Sequence, residues 1–270
     1  SEGLVAAGNI FMGMTESPVL IKNYLPTMNR SEIFLVMVSG MGTIAGSVMG
    51  TYIGMLGGTD PAAKVLFATH LLSASVMAVP GSIVLAKMLC PQTEEATDHV
   101  AISGKEKENS NILDAISSGT VTGVKLMTNI AAMLLVFISL VALANYITEG
   151  VIGRYTGLND WIVKITDGKA QGLTFQFILG VITSPFMWLI GVPSQDIMLV
   201  GSLLGQKTIL NEFVAYFQLQ QWKDAGLFMY EKSILMSTYI LCGFANISSI
   251  GILLGGLGVL APEKRGLISR

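Results

Sequence analysis

Long apolar runs over residues 33–57, 65–90, 124–147, 173–192 and 233–262 constrain this chain more than any other feature. Each is near or above the roughly 20 residues that a helix needs to cross a bilayer core. With 51% hydrophobic and 13% charged residues, the chain carries more apolar surface than one water-soluble core of 270 residues can bury, so lipid must take up the surplus. Inside lipid every backbone group needs an internal partner, and runs of this length satisfy that as helices. The fold class expected is therefore all-α and integral to a membrane. A net charge of −2 with acids and bases mixed gives no basic stripe for nucleic acid and no acidic binding arm. Cys90 and Cys242 lie in apolar runs and read as small core hydrophobes.

Some runs are interrupted in a patterned way. Gly3 to Leu25 is apolar but is broken at Thr15, Glu16, Ser17 and Pro18, so neither half can span. Such a break must be buried in protein or line a wet cavity, which describes a re-entrant hairpin over 1–26. Residues 194–220 repeat the plan around Asn211 and Glu212. A span with its own small, polar interruption follows each hairpin: Ser39–Ser47 within a broken helix over 31–57, and Gly243–Ser249 within one over 233–260. Small residues also let helices pack closely, which is the plainer explanation of either run alone. Hairpin followed by broken helix, occurring twice, points instead to the binding region of a secondary transporter.

The expected organisation is a first repeat over 1–90, closed by a helix over 65–90, and a second repeat over 173–262, opened by an interfacial helix over 173–192. Between them, 91–172 holds a polar linker over 91–123 and a long scaffold-type helix over 124–147 that inverts one repeat relative to the other. A basic end occupies 263–270. Counting Lys and Arg on the two sides places Lys22, Arg30, Lys87, Lys105, Lys107, Lys125, Lys264, Arg265 and Arg270 in the cytoplasm by a narrow margin.

A carboxylate at the centre of a membrane helix costs about 2.5–3.5 kcal/mol on insertion scales, so Glu16 and Glu212 require a compensating ion, substrate or solvent. Asn246 makes the same demand more mildly, since its amide needs partners for two donors and an acceptor. A structural hydrogen bond to the neighbouring hairpin would also satisfy each. Lys207, four to five residues from Glu212 on what reads as one helix, is placed to neutralise it in part. With Ser249, Thr15, Thr43 and Ser47 the set is rich in oxygen and lacks Arg, which suits a substrate with several hydroxyls and no fixed negative charge. Enzyme signatures are absent: no H-E-x-x-H, G-x-S-x-G or P-loop occurs, and His70 and His99 lie far apart. His70 reads as a packed interior histidine, with a proton relay as the alternative.

Three stretches resemble signatures of the concentrative nucleoside transporter family. They are Gly8-Asn9-Ile10-Phe11-Met12-Gly13-Met14-Thr15-Glu16-Ser17-Pro18, then Thr43-Ile44-Ala45-Gly46-Ser47-Val48, and Leu210-Asn211-Glu212-Phe213 with Cys242–Gly251. The Ala261-Pro262-Glu263-Lys264-Arg265 tail fits as well, so the resemblance covers essentially the whole chain. It implies cation-coupled symport of nucleosides by an elevator-type alternation, in a homotrimer within the bacterial inner (cell) membrane. It also implies that spanning helices precede and follow this segment in the family, so that the segment alone should not transport. No enzymatic cofactor is expected, only sodium or a proton as coupling ion.

Carried over by position, the resemblance implies that Thr15 and Glu16 address the nucleobase, with Met14 beside them and Val48 packing on it. Glu212, Asn246 and Ser249 would bond the ribose hydroxyls, with Phe244 as an apolar wall. The family's sodium site resembles Asn9, Thr43 and the carbonyls of Met12 and Ile44; all-oxygen ligation suits a hard ion. Thr43 stands where a serine is common, and Met14 where many relatives have Gln, a substitution that implies acceptance of purine nucleosides. Rival readings are a transporter of another small polar substrate such as a nucleobase, a channel, and an intramembrane enzyme.

Overall fold

The structure is a computed structural model that describes residues 2–22, 24–94, 111–166, 168 and 170–268. Of the features read from sequence, residues 95–110 of the polar linker, including His99, Lys105 and Lys107, lie outside the described residues, as do Ser269 and Arg270 of the basic end. Among the described residues there is no strand; the elements are helices. Two compact units result, Ser1–Thr97 with Gln176–Arg270, and Asp98–Phe175.

The first unit opens with α1 (Glu2–Gly8), an irregular turn, and short 3-10 segments at Ser17–Ile21 and Leu25–Thr27. The outgoing arm of the first hairpin is thus a tight, proline-started turn rather than a full helix, because Pro18 and Pro26 each remove a backbone donor within it. α2 (Arg30–Gly42) starts on a capping box: Asn29 accepts from the Glu32 N–H at 3.0 Å and Glu32 accepts from the Asn29 N–H at 2.9 Å. It stops at Thr43, whose extended backbone leads through Ile44 and Ala45 into α3 (Gly46–Gly57). α4 (Pro61–Leu89) begins four residues before the expected 65 because Asp60 caps it, accepting from the N–H groups of Ala62 and Ala63, with Pro61 at the first helical position. Arg30–Gly57 and Pro61–Leu89 are each long and apolar enough to cross a membrane, and α4 turns Val65, Leu72, Val76, Met77, Leu85 and Met88 outward.

The same unit continues with α8 (Phe175–Leu189), α9 (Ile197–Ile209), α10 (Glu212–Asp224), α11 (Glu231–Leu241) and α12 (Ile247–Leu260), and ends at α13 (Arg265–Ile268). At 15 residues α8 is about 22 Å long, short of a bilayer core. It packs closely on α9: a Cβ on Gly201 would lie 2.7 Å from the Thr183 hydroxyl and 3.0 Å from the Gly180 carbonyl, and one on Gly205 would collide with Leu179. Glycines four residues apart on α9 thus let the two helices approach closely.

Two apolar clusters cross the repeats. Val5, Met14 and Ile21 of the first hairpin pack with Ile33 and Val36 of α2 and with Leu253 and Leu257 of α12. Tyr52 and Leu56 of α3, with Phe67 and Leu71 of α4, pack with Leu203, Ala215, Tyr216 and Leu219 of the second hairpin. The rings of Tyr52 and Tyr216 stack at 4.1 Å. Each hairpin therefore rests on the outgoing half of the other repeat's broken helix, and Phe244 touches both clusters.

The second unit holds α5 (Ile112–Asn145), a π-helical stretch Tyr146–Gly153, the single turn α6 (Arg154–Thr156) and α7 (Leu158–Ile165). The long helix starts 12 residues before the expected 124, so residues 112–123 are helix and not linker. Asn111 caps it by accepting from the Asp114 N–H at 2.9 Å, and Thr120 donates to the Ile116 carbonyl one turn back at 2.8 Å. Apolar density, which rises only later, located the middle of this helix and missed its start.

Candidate functional site

The two interruptions meet. The Phe244 N–H in the second break donates to the Thr43 carbonyl in the first, at 3.3 Å. Gly243 makes this crossing possible: its φ is +115°, and a Cβ there would lie 2.8 Å from the Gly42 carbonyl and 2.9 Å from that of Met41.

On the second-repeat side, Asn246 is the N-cap of α12. Its Oδ1 accepts from the Ser249 N–H at 2.8 Å, while its Nδ2 donates to Glu212 at 2.7 Å. One amide thus fixes both the start of the helix and the carboxylate of the facing hairpin. Glu212 and Asn246 are each 6% exposed and Ser249 is buried. Glu212 begins α10 behind its own cap, Asn211, which accepts from the Val214 N–H at 2.9 Å. The chain therefore breaks at Leu210 and Asn211, and Lys207 belongs to a different helix from Glu212. This corrects the single helix expected from spacing but not the interaction of the charges: the Lys207 ammonium donates to the carbonyls of Ile240 at 2.9 Å and Cys242 at 3.4 Å, at the end of α11, and still acts through space on the Glu212 carboxylate. A capped break redirects the chain, so spacing of four to five residues no longer implies a shared face.

On the first-repeat side, Asn9 is wholly buried; its Nδ2 donates to the Ser39 hydroxyl at 3.1 Å and its Oδ1 accepts from the Ser17 hydroxyl. Thr43, also buried, donates to the Ser39 carbonyl at 3.1 Å and keeps its oxygen lone pairs. Ile44 is buried, Met12 is half-buried, and the Gly46 N–H donates to the Phe11 carbonyl at 3.0 Å, which holds the hairpin turn against the break. The structure thus brings the hairpin residues Asn9 and Met12 to the break that carries Thr43 and Ile44. Ser17 and Ser39, which hold the Asn9 amide, were read from sequence as parts of the two interruptions and not as members of the site. Ser39 stands one helical turn before Thr43, and that spacing was the available signal.

The residues assigned to the base end divide. Glu16 is exposed and accepts the Gly13 N–H at 3.0 Å, Thr15 is half-buried with its methyl close to Gly256 of α12, and Val48 is half-buried against the second cluster. Met14 is 7% exposed within the first apolar cluster, its Cβ side against Gly40. Phe244 is half-buried between the clusters.

Paired helix breaks with acid, amide and hydroxyl groups gathered at them mark secondary transporters. The chain belongs to the family described as Na+ dependent nucleoside transporter C-terminus, which it matches over residues 70–270; the family is one of transporters, integral to membranes, and not of enzymes. All of the chain aligns with an uncharacterized transporter of Haemophilus influenzae at 39% identity, covering 60% of that protein. It is 38% identical to the sodium/nucleoside cotransporter 1 of Sus scrofa, again over the whole chain and 40% of the relative. A solved structure of CNTnw in an inward-facing substrate-bound state superposes with a TM-score of 0.81 at 36% identity, covering 100% of this chain and 59% of that one. The chain thus spans about 60% or less of the length of these relatives.

Proposed function

We propose that the protein to which this chain belongs takes up nucleosides by cation-coupled symport, with ribose held by Glu212, Asn246 and Ser249. The observation that carries this reading is the 2.7 Å bond between Asn246 and Glu212, buried at the start of α12. A carboxylate oxygen and a capped helix start offer acceptors and donors to vicinal hydroxyls, and there is no Arg among the site residues to invite an anion. Sodium/nucleoside cotransporters among the relatives support the substrate class and sodium as coupling ion. Asn9, Thr43 and the carbonyls of Met12 and Ile44 are the oxygens assigned to that ion, with Ser17 and Ser39 orienting the amide. Thr15 and Glu16 are assigned to the base with Met14 and Val48, and a thioether in place of a more demanding amide supports acceptance of purines.

The hairpins are read as re-entrant within one mobile domain built of two inverted repeats, moving as an elevator in a homotrimer of the bacterial inner membrane. CNTnw has been solved inward-facing, outward-facing and in intermediate states, which supports alternating access. Calorimetric binding to the full-length protein tests the proposal: inosine, guanosine and uridine are expected to bind only with sodium present, and their dideoxy analogues at least about 10-fold more weakly, the worth of one bond to a charged group. Equal binding of ribosides and dideoxyribosides, or tight binding of free nucleobases, overturns the ribose assignment.

A further inference from the structure

Lys207 is 5% exposed, and among the described residues no carboxylate lies within ion-pair distance of its ammonium. Removing such a charge from water costs several kcal/mol unless its partners compensate. Its hydrogen-bond partners are backbone oxygens of one kind, those of Ile240 in the last turn of α11 and Cys242, the first residue of the break, and the Glu212 carboxylate acts on it through space. The last carbonyls of a helix lack intrahelical partners and together carry about half a negative charge. In discontinuous transporter helices, such helix ends and unwound carbonyls are where coupling cations sit.

The first repeat offers the comparison. There the side chain that reaches from the end of the incoming hairpin arm to the last turn of the broken helix is Asn9, on Ser39, and it is neutral. At the corresponding place in the second repeat the reaching group is an ammonium. We infer that Lys207 is a tethered, resident cation of the second broken helix. It holds the Cys242–Asn246 backbone and, through Asn246, the Glu212 carboxylate in substrate-receiving shape, and so the second break takes no free ion. Lys207 is accordingly a positioning residue, and for the identity of the transported substrate the inference rests on the function proposed above.

The test counts ions in the full-length protein without nucleoside, from the slope of the unfolding temperature against the logarithm of sodium concentration, with choline holding ionic strength constant. Lys207→Met is expected to bind one more sodium ion than the wild type, and Lys207→Arg the same number. At low sodium the Met variant should bind uridine at least about 10-fold more weakly than wild type and recover at high sodium, which a lysine needed only for folding would not show. Equal ion counts in the wild type and the Met variant overturn the inference. If the Met variant does not fold, a wild-type count of two overturns it and a count of one supports it. Because the ion count needs no nucleoside, a protein that binds sodium but no nucleoside defeats the proposed function without touching this result.

Discussion

At the first break the end of α2 faces neutral groups, the Asn9 amide and the hydroxyls of Ser39 and Thr43; at the second, the end of α11 faces the ammonium of Lys207. The backbone plan is shared, a helix that stops, a few extended residues and a helix that resumes, yet the electrostatics differ. Neutral oxygens leave a helix end that still attracts a cation, whereas an ammonium satisfies it. The acids differ in parallel. Glu16 is exposed and bonds its own loop at Gly13, whereas Glu212 is buried and bonded across to Asn246. On the proposed reading, the first break is suited to admitting an ion and the second to gripping a substrate.

The sharpest way to break this comparison is at the crossing point. Gly243→Ala places a side chain at φ +115° and within 2.8 Å of the Gly42 carbonyl, so backbone strain of about 1–3 kcal/mol precedes any steric overlap. The variant is expected to lose nucleoside binding and to unfold at a markedly lower temperature. Gly50→Ala, beyond the first break, meets nothing within 4 Å and should lie within about 1 kcal/mol of wild type, on the stabilising side. Equal thermal stability of the two variants would erase the special standing of the crossing.

A smaller effect separates the acids. Glu212→Gln should weaken uridine binding about 10- to 100-fold, the worth of a buried bond to a charged group, and Glu16→Gln clearly less. Titration calorimetry at saturating sodium measures both, and the reverse order would mean that burial has misidentified the gripping carboxylate. Smallest is Thr43→Val, which deletes one oxygen of the proposed ion site at constant shape. The sodium concentration for half-maximal uridine binding should rise several-fold, with affinity at saturating sodium unchanged; a change in the second quantity alone would place Thr43 in the substrate pocket.

What sequence makes legible here is whatever one segment decides for itself. The interruption between α2 and α3 falls within Ser39–Ser47, and that between α11 and α12 within Gly243–Ser249 and the residue before it, because small and polar residues there remove the side-chain support of a continuous helix. Asn246 was legible as a residue needing partners, and its partners include a helix N–H and Glu212. Contacts between segments were not legible. Nothing in the spacing of Lys207 foretold Ile240, since the capped restart at Asn211 turns the chain before Glu212. The early start of α5 escaped because caps are single polar residues, and in a polar stretch one asparagine resembles its neighbours.

The reciprocal packing of hairpins on distant half-helices bears on how the protein is made. Val5, Met14 and Ile21 are synthesised well before Leu253 and Leu257, which pack against them. During synthesis this hairpin waits with Ile33 and Val36 on one side of its apolar cluster, and the cluster is complete only when α12 arrives. Translation stalled after Leu241 would leave a chain that carries Asn9, Met12, Thr43 and Ile44 but lacks the α12 side of the cluster that packs on their hairpin.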